Sequence, residues 1–176
     1  SLNLANTADV LTASDLASES HGNYNGIILA TGSLTSDFTA AEWQALWDYE
    51  ATFGVRQITW YTFPNAAYGF GTPTSVDTNS TPITATLTSA GATEFPYLSG
   101  TLVIQNAFTY LAQPLDEATT PLLVDGSGNA LAAVRTYSNG RQNLAFTFDG
   151  NQNLRHSAAL VFGAVRWVTR GLFLGE

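Results

Sequence analysis

The sequence contains no cysteine, no methionine and no lysine. The lack of cysteine excludes disulfide bonds, thiolate metal sites and a cysteine nucleophile. The six cations are therefore all arginines, and together with 14 carboxylates they give a net charge of −8. Because proteins bind nucleic acids and anionic membranes through basic surfaces, this charge argues against both kinds of partner.

Charged residues of either sign are also scarce, since they make up 11% of the chain against about a quarter in typical globular domains. Serine, threonine, asparagine and glutamine should therefore form most of the surface, which favours a secreted or cell-wall setting. Asn79-Ser80-Thr81 is an acceptor sequence for N-glycosylation, although the following Pro82 disfavours its use. No run reaches the ~18 apolar residues of a membrane span, and no signal peptide is recognisable at Ser1.

Length and apolar content limit the number of domains that the chain can form. A chain of 176 residues with 45% apolar content can bury one sizeable core, and the sequence contains neither an internal repeat nor a domain boundary. We therefore expect residues 1–176 to form a single α/β domain. Because the chain stops soon after a long helical pattern, we expect it to be a fragment of a larger secreted protein.

The first half of the chain predicts a strand, a helix and a second strand. Residues 25–30 form a continuous apolar run, which is typical of a strand buried on both faces. Residues 39–53 show a mainly apolar stripe at helical spacing, with Thr39 and Glu42 as a capping box and Gly54 as the C-cap. A strand over 55–63 completes a βαβ unit. This unit predicts a doubly wound, largely parallel sheet with flanking helices.

The second half predicts further strands and a closing helix. Two alternating segments flank the turn Ser138-Asn139-Gly140 and predict an antiparallel hairpin, and residues 154–173 predict a long helix after it. Shorter strands are predicted at 83–88, 101–105 and 121–124, a long linker-like loop at 64–82 and an irregular segment at 91–100. The buried side of the closing helix is predicted to consist of Leu154, Ala158, Val161, Phe162, Val165 and either Trp167 or Val168.

No complete catalytic set is recognisable in the sequence. The two histidines, His21 and His156, are far apart, and no Gly-x-Ser-x-Gly turn exposes a serine nucleophile. The run from Asp125 to Asn129 has some residues of a calcium loop, but a hairpin turn explains it better. We therefore predict no catalytic residue, no metal site and no cofactor.

Aromatic side chains are the better candidates for binding. Trp60, Tyr61 and Phe63 end a strand at the edge where open α/β sheets bind ligands, and Tyr68 and Phe70 follow in the long loop. Aromatic faces stack against the C–H surfaces of sugar rings. The candidate ligand-binding residues are Trp60, Tyr61, Tyr68, Phe70 and His156. For the aromatic residues, burial in the core is the alternative interpretation, and for His156 it is a role in anchoring the helix start.

The C-terminal third carries a resemblance to known families. Asn139-Gly140-Arg141, the strand that ends at Phe148 and His156 at a helix start form a layout similar to flavodoxin-like, class I glutamine amidotransferase-like domains. More specifically, residues 120–157 and 167–176 resemble the region that precedes the catalytic domain in Agd-type extracellular polysaccharide deacetylases. These enzymes act on galactosamine-containing polymers (galactosaminogalactan deacetylase-like).

The departures from both families decide which activities carry over. Amidotransferases need a nucleophilic cysteine, and the corresponding turn here reads Thr62-Phe63-Pro64-Asn65. The deacetylase metal site needs an aspartate and two histidines on a separate domain, and this chain does not contain that set. The resemblance therefore implies a non-catalytic accessory domain that supports a neighbouring catalytic domain and takes part in binding an amino-sugar polysaccharide. An independent carbohydrate-binding module and a stand-alone hydrolase with an unrecognised site remain as alternatives.

Overall fold

The computed structural model describes residues 10–32, 37–150 and 155–172. In these ranges the chain forms four α-helices: α1 (Ala13–Leu16), α2 (Ala40–Phe53), α3 (Ser89–Glu94) and α4 (Arg155–Val168). The strands are β1 (Ala17–Ser18), β2 (His21–Gly22), β3 (Gly26–Leu29), β4 (Arg56–Thr59), β5 (Thr74–Asp77), β6 (Ile83–Leu87), β7 (Thr101–Ile104), β8 (Phe108–Leu111), β9 (Thr119–Asp125), β10 (Ala130–Thr136) and β11 (Gln142–Phe146). None of the described helices is long and apolar enough to cross a membrane.

Seven strands form one mixed sheet in the order β3-β4-β11-β10-β9-β6-β7. Only β3 with β4 and β4 with β11 pair in parallel, whereas the other four pairs are antiparallel. The predicted α/β class and the C-terminal hairpin with its following helix are confirmed. The prediction of a largely parallel sheet is wrong, because four of the seven strands belong to an antiparallel half.

A tight turn explains part of this difference. Asp125 Oδ1 accepts hydrogen bonds from the backbone N–H groups of Ser127 and Asn129, both at 2.8 Å, and Gly128 adopts a positive φ of 81°. A connection this short can only join antiparallel neighbours, since parallel strands need a long crossover. Asp125–Asn129 is therefore the hairpin turn that the sequence favoured over a calcium loop.

Helix α2 begins and ends where the sequence predicts. The hydroxyl of Thr39 accepts from the backbone N–H of Glu42, the Glu42 carboxylate accepts from the backbone of Thr39, and Gly54 closes the helix in the left-handed region. Leu46 and Tyr49 of this helix pack in one cluster with Ile27 of β3. Successive residues of a strand face opposite sides of the sheet, so α2 covers the Ile27 face.

Helix α4 covers the opposite face of the sheet, and of the residues predicted on its buried side only Trp167 and Val168 are buried there. Its buried residues are Ser157, Leu160, Gly163, Ala164, Trp167 and Val168, and Leu160, Ala164, Trp167 and Val168 pack against Ile58 in the main core. Ala158, Val161, Phe162 and Val165 are exposed, so their predicted burial is wrong; Leu154 lies outside the described residues. Apolar residues extend well beyond the side that meets the sheet, and the periodicity therefore cannot identify the buried part.

The predicted loop at 64–82 contains regular structure. Residues Ala66–Tyr68 form a 3₁₀-helix, and β5 pairs antiparallel with β8 in a separate two-stranded sheet. Helix α3 occupies the start of the segment predicted to be irregular, and β4 ends at Thr59, four residues earlier than the predicted strand. These differences arise because local sequence does not show a pairing with a distant strand.

Polar side chains are buried where the parallel and antiparallel halves of the sheet meet. Asn143 Oδ1 on β11 accepts hydrogen bonds from Gln57 Nε2 at 3.0 Å and from Thr59 Oγ1 at 2.9 Å, both on β4. All three side chains are at least 96% buried. Because an unmade hydrogen bond is costly in such a setting, this network favours a single register between β4 and β11.

A buried ion pair ties α2 to the strand β11. Arg141 Nη1 lies 3.0 Å from Glu50 Oε2, and its guanidinium lies between the rings of Trp47 at 4.9 Å and Tyr137 at 4.1 Å. Glu50 is fully buried. Burial raises the pKa of this carboxyl to about 7, and the neighbouring Arg141 opposes the shift only in part.

The raised pKa predicts a specific pH dependence of stability. The folded domain holds the Glu50 proton more tightly than the unfolded chain does, so this group makes the free energy of unfolding fall as the pH rises from 4.5 to about 7. The expected loss is about 3 kcal/mol over that window. Urea unfolding at a series of pH values should show that Glu50→Gln flattens this slope. Asp48→Asn, which removes an exposed carboxylate of the same helix, should leave the slope unchanged.

A second prediction concerns the contact between α3 and the sheet. A Cβ atom at Gly91 would overlap the backbone carbonyl of Leu122 on β9, which cannot move without breaking the strand. We expect Gly91→Ala to lower the free energy of unfolding by about 3 kcal/mol. Gly126→Ala is the matched control, since no atom lies within 4 Å of its added Cβ, and it should change stability by less than about 1 kcal/mol. Equal stability of the two variants would contradict the packing described.

Candidate functional site

Strand β8 crosses the carboxyl end of β11. The backbone N–H of Tyr110 donates to the carbonyl of Thr147 at 2.9 Å, and the N–H of Asp149 donates to the carbonyl of Phe108 at 2.8 Å. Thr147 Oγ1 also donates to the Tyr110 carbonyl at 2.8 Å. These bonds fix β8 beside the segment that follows β11, and the N–H of Thr62, which donates to the Phe146 carbonyl at 2.8 Å, holds the segment that follows β4 at the same edge.

Four aromatic side chains meet at this edge, and we call them the Tyr110 cluster: Tyr61, Phe63, Phe108 and Tyr110. The ring centroid of Tyr110 lies 6.2 Å from that of Tyr61, 5.0 Å from that of Phe63 and 5.3 Å from that of Phe108. Phe63 is 58% exposed and Phe108 is 48% exposed, whereas both tyrosines are half-buried. The rings of Phe63 and Phe108 are therefore accessible to a ligand, while the half-buried rings of Tyr61 and Tyr110 pack next to them and hold them in place.

Tyr61 adopts an unusual backbone conformation in the cluster. Its φ of 61° lies in the left-handed region, which costs a residue with a side chain roughly 1–2 kcal/mol. Hydrogen bonds fix the chain on both sides, because Gly32 N–H donates to the Tyr61 carbonyl and Thr62 N–H donates to the Phe146 carbonyl, each at 2.8 Å. The surrounding strands therefore impose the turn that aims this ring.

The phenol of Tyr61 stays protonated at all physiological pH values. Burial raises its pKa to about 12, and the hydrogen bond with Tyr110 and the charge of Asp149 shift it in the same direction. A neutral phenol can both donate and accept hydrogen bonds. The exposed carboxylate of Asp149 adds an acceptor close to the cluster, so ring faces and polar groups occur together.

The structure separates the five binding candidates predicted from sequence. Tyr61 belongs to the cluster, whereas Trp60 is half-buried and packs on Phe146 with a centroid distance of 4.4 Å. Phe70 is 1% exposed and is part of the core, and Tyr68 packs partly buried against that core. His156 lies in the first turn of α4, and its side chain is outside the described residues.

Sequence reasoning placed Phe63 at this edge without choosing it as a binding candidate, and it missed Phe108 and Tyr110. The segment Phe108-Thr109-Tyr110 does carry a signal, since alternation places two aromatic rings on one side of a strand and Thr109 on the other. Thr109 is fully buried, and its hydroxyl donates to the Ala107 carbonyl at 3.2 Å. The pairing of this strand with β5 and its contact with β11 could not be predicted from the alternation alone.

Two further candidates concern metal binding and glycosylation. Within the described parts of the chain, no group of three histidine, aspartate or glutamate residues could hold a metal ion. Asn79 is exposed, and its side-chain amide donates to Asp77 Oδ1 at 2.8 Å within the turn after β5. His21 is exposed on β2.

This arrangement is typical of a ligand-presenting α/β domain, in which aromatic side chains lie at the carboxyl edge of a sheet. Comparison with known proteins gives the family. The family model described as Agd3 CBM87 matches residues 3–167, and the chain belongs to this family of carbohydrate-binding modules. A comparison with curated proteins gave no match.

Solved structures share the fold at low sequence identity. The crystal structure of Agd3, described as a novel carbohydrate deacetylase, superposes with a TM-score of 0.80 at 20% identity, covering 92% of this chain and 27% of that one. The chain therefore spans about a quarter of this relative. The N-terminal domain of mmIFT52 superposes with a TM-score of 0.62 at 15% identity, covering 94% and 83% of the two chains. A putative ThuA-like protein from Bacteroides uniformis gives 0.57 at 17% identity, with coverages of 89% and 72%.

Proposed function

We propose that this chain is a non-catalytic accessory domain of a secreted polysaccharide deacetylase-like protein, and that it binds an amino-sugar polymer through the Tyr110 cluster. The observation that carries the proposal is the pair of exposed rings, Phe63 and Phe108, supported by Tyr110 at one edge of the sheet. Sugar rings stack on such faces through their C–H surfaces. Membership of the CBM87 family supports the same function.

Chemistry at the cluster favours a neutral or cationic glycan over an anionic one. Asp149 is the charged group that acts on Tyr61, and the chain carries a net charge of −8. A polymer with carboxylate or sulfate groups would be repelled by this field. Amino sugars carry acetamido or free amino groups, which can bind to carboxylate and phenol acceptors.

The remainder of the proposed protein is a catalytic domain in the same polypeptide. The similarity to a carbohydrate deacetylase of which this chain covers only 27% supports this arrangement. On this proposal the reaction belongs to the neighbouring domain, while this domain holds the polymer near it. Secretion, which the low charge content favours, would also allow glycosylation at the exposed Asn79.

We also propose an ancestry for the parallel half of the sheet. Strands β3, β4 and β11 with α2 on one face and α4 on the other have the layout of a flavodoxin-like, amidotransferase-like unit. In that layout ligands bind outside the carboxyl ends of the parallel strands. The Tyr110 cluster occupies this edge, at the place where an amidotransferase would present its nucleophile.

Substitution of the two exposed rings tests the binding site. We expect Phe63→Ala and Phe108→Ala each to weaken binding of a partly deacetylated galactosamine polymer about tenfold, since one stacked ring contributes about 1 kcal/mol or more. Isothermal titration calorimetry of the chain and its variants is the measurement. Tyr97→Ala is the matched control, because Tyr97 is 68% exposed and lies on a different surface. Undiminished affinity in the Phe63→Ala, Phe108→Ala double variant would exclude the Tyr110 cluster as the site.

A second experiment tests the absence of catalysis. The chain alone should release no acetate from N-acetylated amino-sugar polymers, with or without added zinc. Histidine is the usual general base, so His156→Ala is the informative variant. Acetate release by the chain that disappears in His156→Ala would show that this domain is itself a hydrolase.

A further inference from the structure

The outer side of α4 is apolar and exposed. Val161, Phe162 and Val165 are between 42% and 45% exposed, and Tyr97 packs its edge against Phe162 with a centroid distance of 5.4 Å while remaining 68% exposed. Several apolar residues exposed together on the side of a helix that faces away from its own sheet indicate a surface that another body covers. The sheet covers one side of α4, and these three side chains remain partly exposed on the other side.

This surface continues onto the edge of the sheet. Ile28 on the edge strand β3 is 54% exposed and Leu172 after α4 is 61% exposed. Together with Val165 they line a groove of about 340 Å³. We define the α4 face as Ile28, Tyr97, Val161, Phe162, Val165 and Leu172. Monomeric soluble proteins seldom expose a contiguous apolar patch of this kind without a binding function.

The charges around the α4 face differ from those of the remaining chain. Residues 155–172 contain three arginines and no carboxylate, whereas the other residues contain three arginines and all 14 carboxylates. Of these arginines, Arg166 is half-buried and Arg170 is exposed. The apolar face therefore has a basic rim on an otherwise acidic domain, and a partner with an acidic rim would complement it.

We infer that the α4 face is the surface through which this domain packs against the catalytic domain of the same polypeptide. This inference rests on the proposed function, which supplies that neighbour. A second copy of the chain fits less well, because two-fold pairing of the α4 face would place basic rims opposite each other. A covalently linked neighbour is present at high effective concentration, so it can dock on a smaller face than a separate chain would need.

The position of the α4 face leaves the glycan site free. Gly26, which lines the same groove as Leu172, begins β3 at the amino end of the parallel strands. The Tyr110 cluster lies at their carboxyl ends, beyond β4 and β11. Docking and polymer binding can therefore occur at the same time, as an accessory domain requires.

Hydrogen–deuterium exchange tests the inference on the 176-residue chain and on the full-length polypeptide that contains it. We expect the α4 amides of the full-length protein to exchange at least tenfold more slowly than those of the chain alone. The double variant Val161→Glu, Val165→Glu should abolish this difference. Val103→Glu is the matched control, since Val103 is 48% exposed on the edge strand β7, and it should preserve the protection.

Three outcomes would overturn the inference. The first is an equal exchange rate of the α4 amides in the 176-residue chain and in the full-length protein. This comparison uses unsubstituted proteins, so it is valid even if the double variant fails to fold. The second is retained protection in a folded double variant. The third is a dimer of the 176-residue chain in analytical ultracentrifugation that Val165→Glu dissociates, which would make a second copy the occupant. Polymer affinity is measured on the same variants, so loss of docking with retained affinity separates this inference from the proposed function.

Discussion

The parallel pairing of β4 with β11 is the constraint on which the rest of the structure depends. Strand β11 is hydrogen-bonded to β4 on one side and to β10 of its own hairpin on the other, so it joins the parallel and antiparallel halves. The amide of Asn143 fixes this register from inside the sheet, and the pair Glu50–Arg141 fastens α2 above it. A shift of one residue would turn these polar groups to the wrong face.

This register also assembles the candidate binding surface. It brings the segment after β4 next to the segment after β11, and β8 is hydrogen-bonded to the latter through Thr147 and Asp149. The accessible rings thus come from two parts of the chain that have no local relation. A binding surface of this kind is set by the tertiary pairing of rigid strands, which suits recognition of an extended polymer by preformed contacts.

Local signals predicted some parts of the fold well. The Thr39 capping box with Gly54, and the turn at Asn139-Gly140, each specify an element through interactions within a few residues, and both elements are confirmed. The buried side of α4 could not be predicted. The apolar residues of this helix extend beyond one side, and only the position of the sheet determines which of them are covered. Phe70 looked like a loop residue available to ligand, yet tertiary packing buries it with Ala133 and Ala145. The prediction of a largely parallel sheet was wrong at β6, β7 and β9 for the same reason, since strand pairing is not a local property.

The left-handed backbone of Tyr61 has a consequence for laboratory evolution of this domain. Glycine relieves strain at such a φ, so selection for heat resistance alone should enrich glycine at position 61. Variants obtained in that way would melt at a higher temperature while lacking a ring of the proposed glycan-binding edge. Thermostability and ligand recognition are therefore opposed at this position, and improvement of the module requires selection for both properties together.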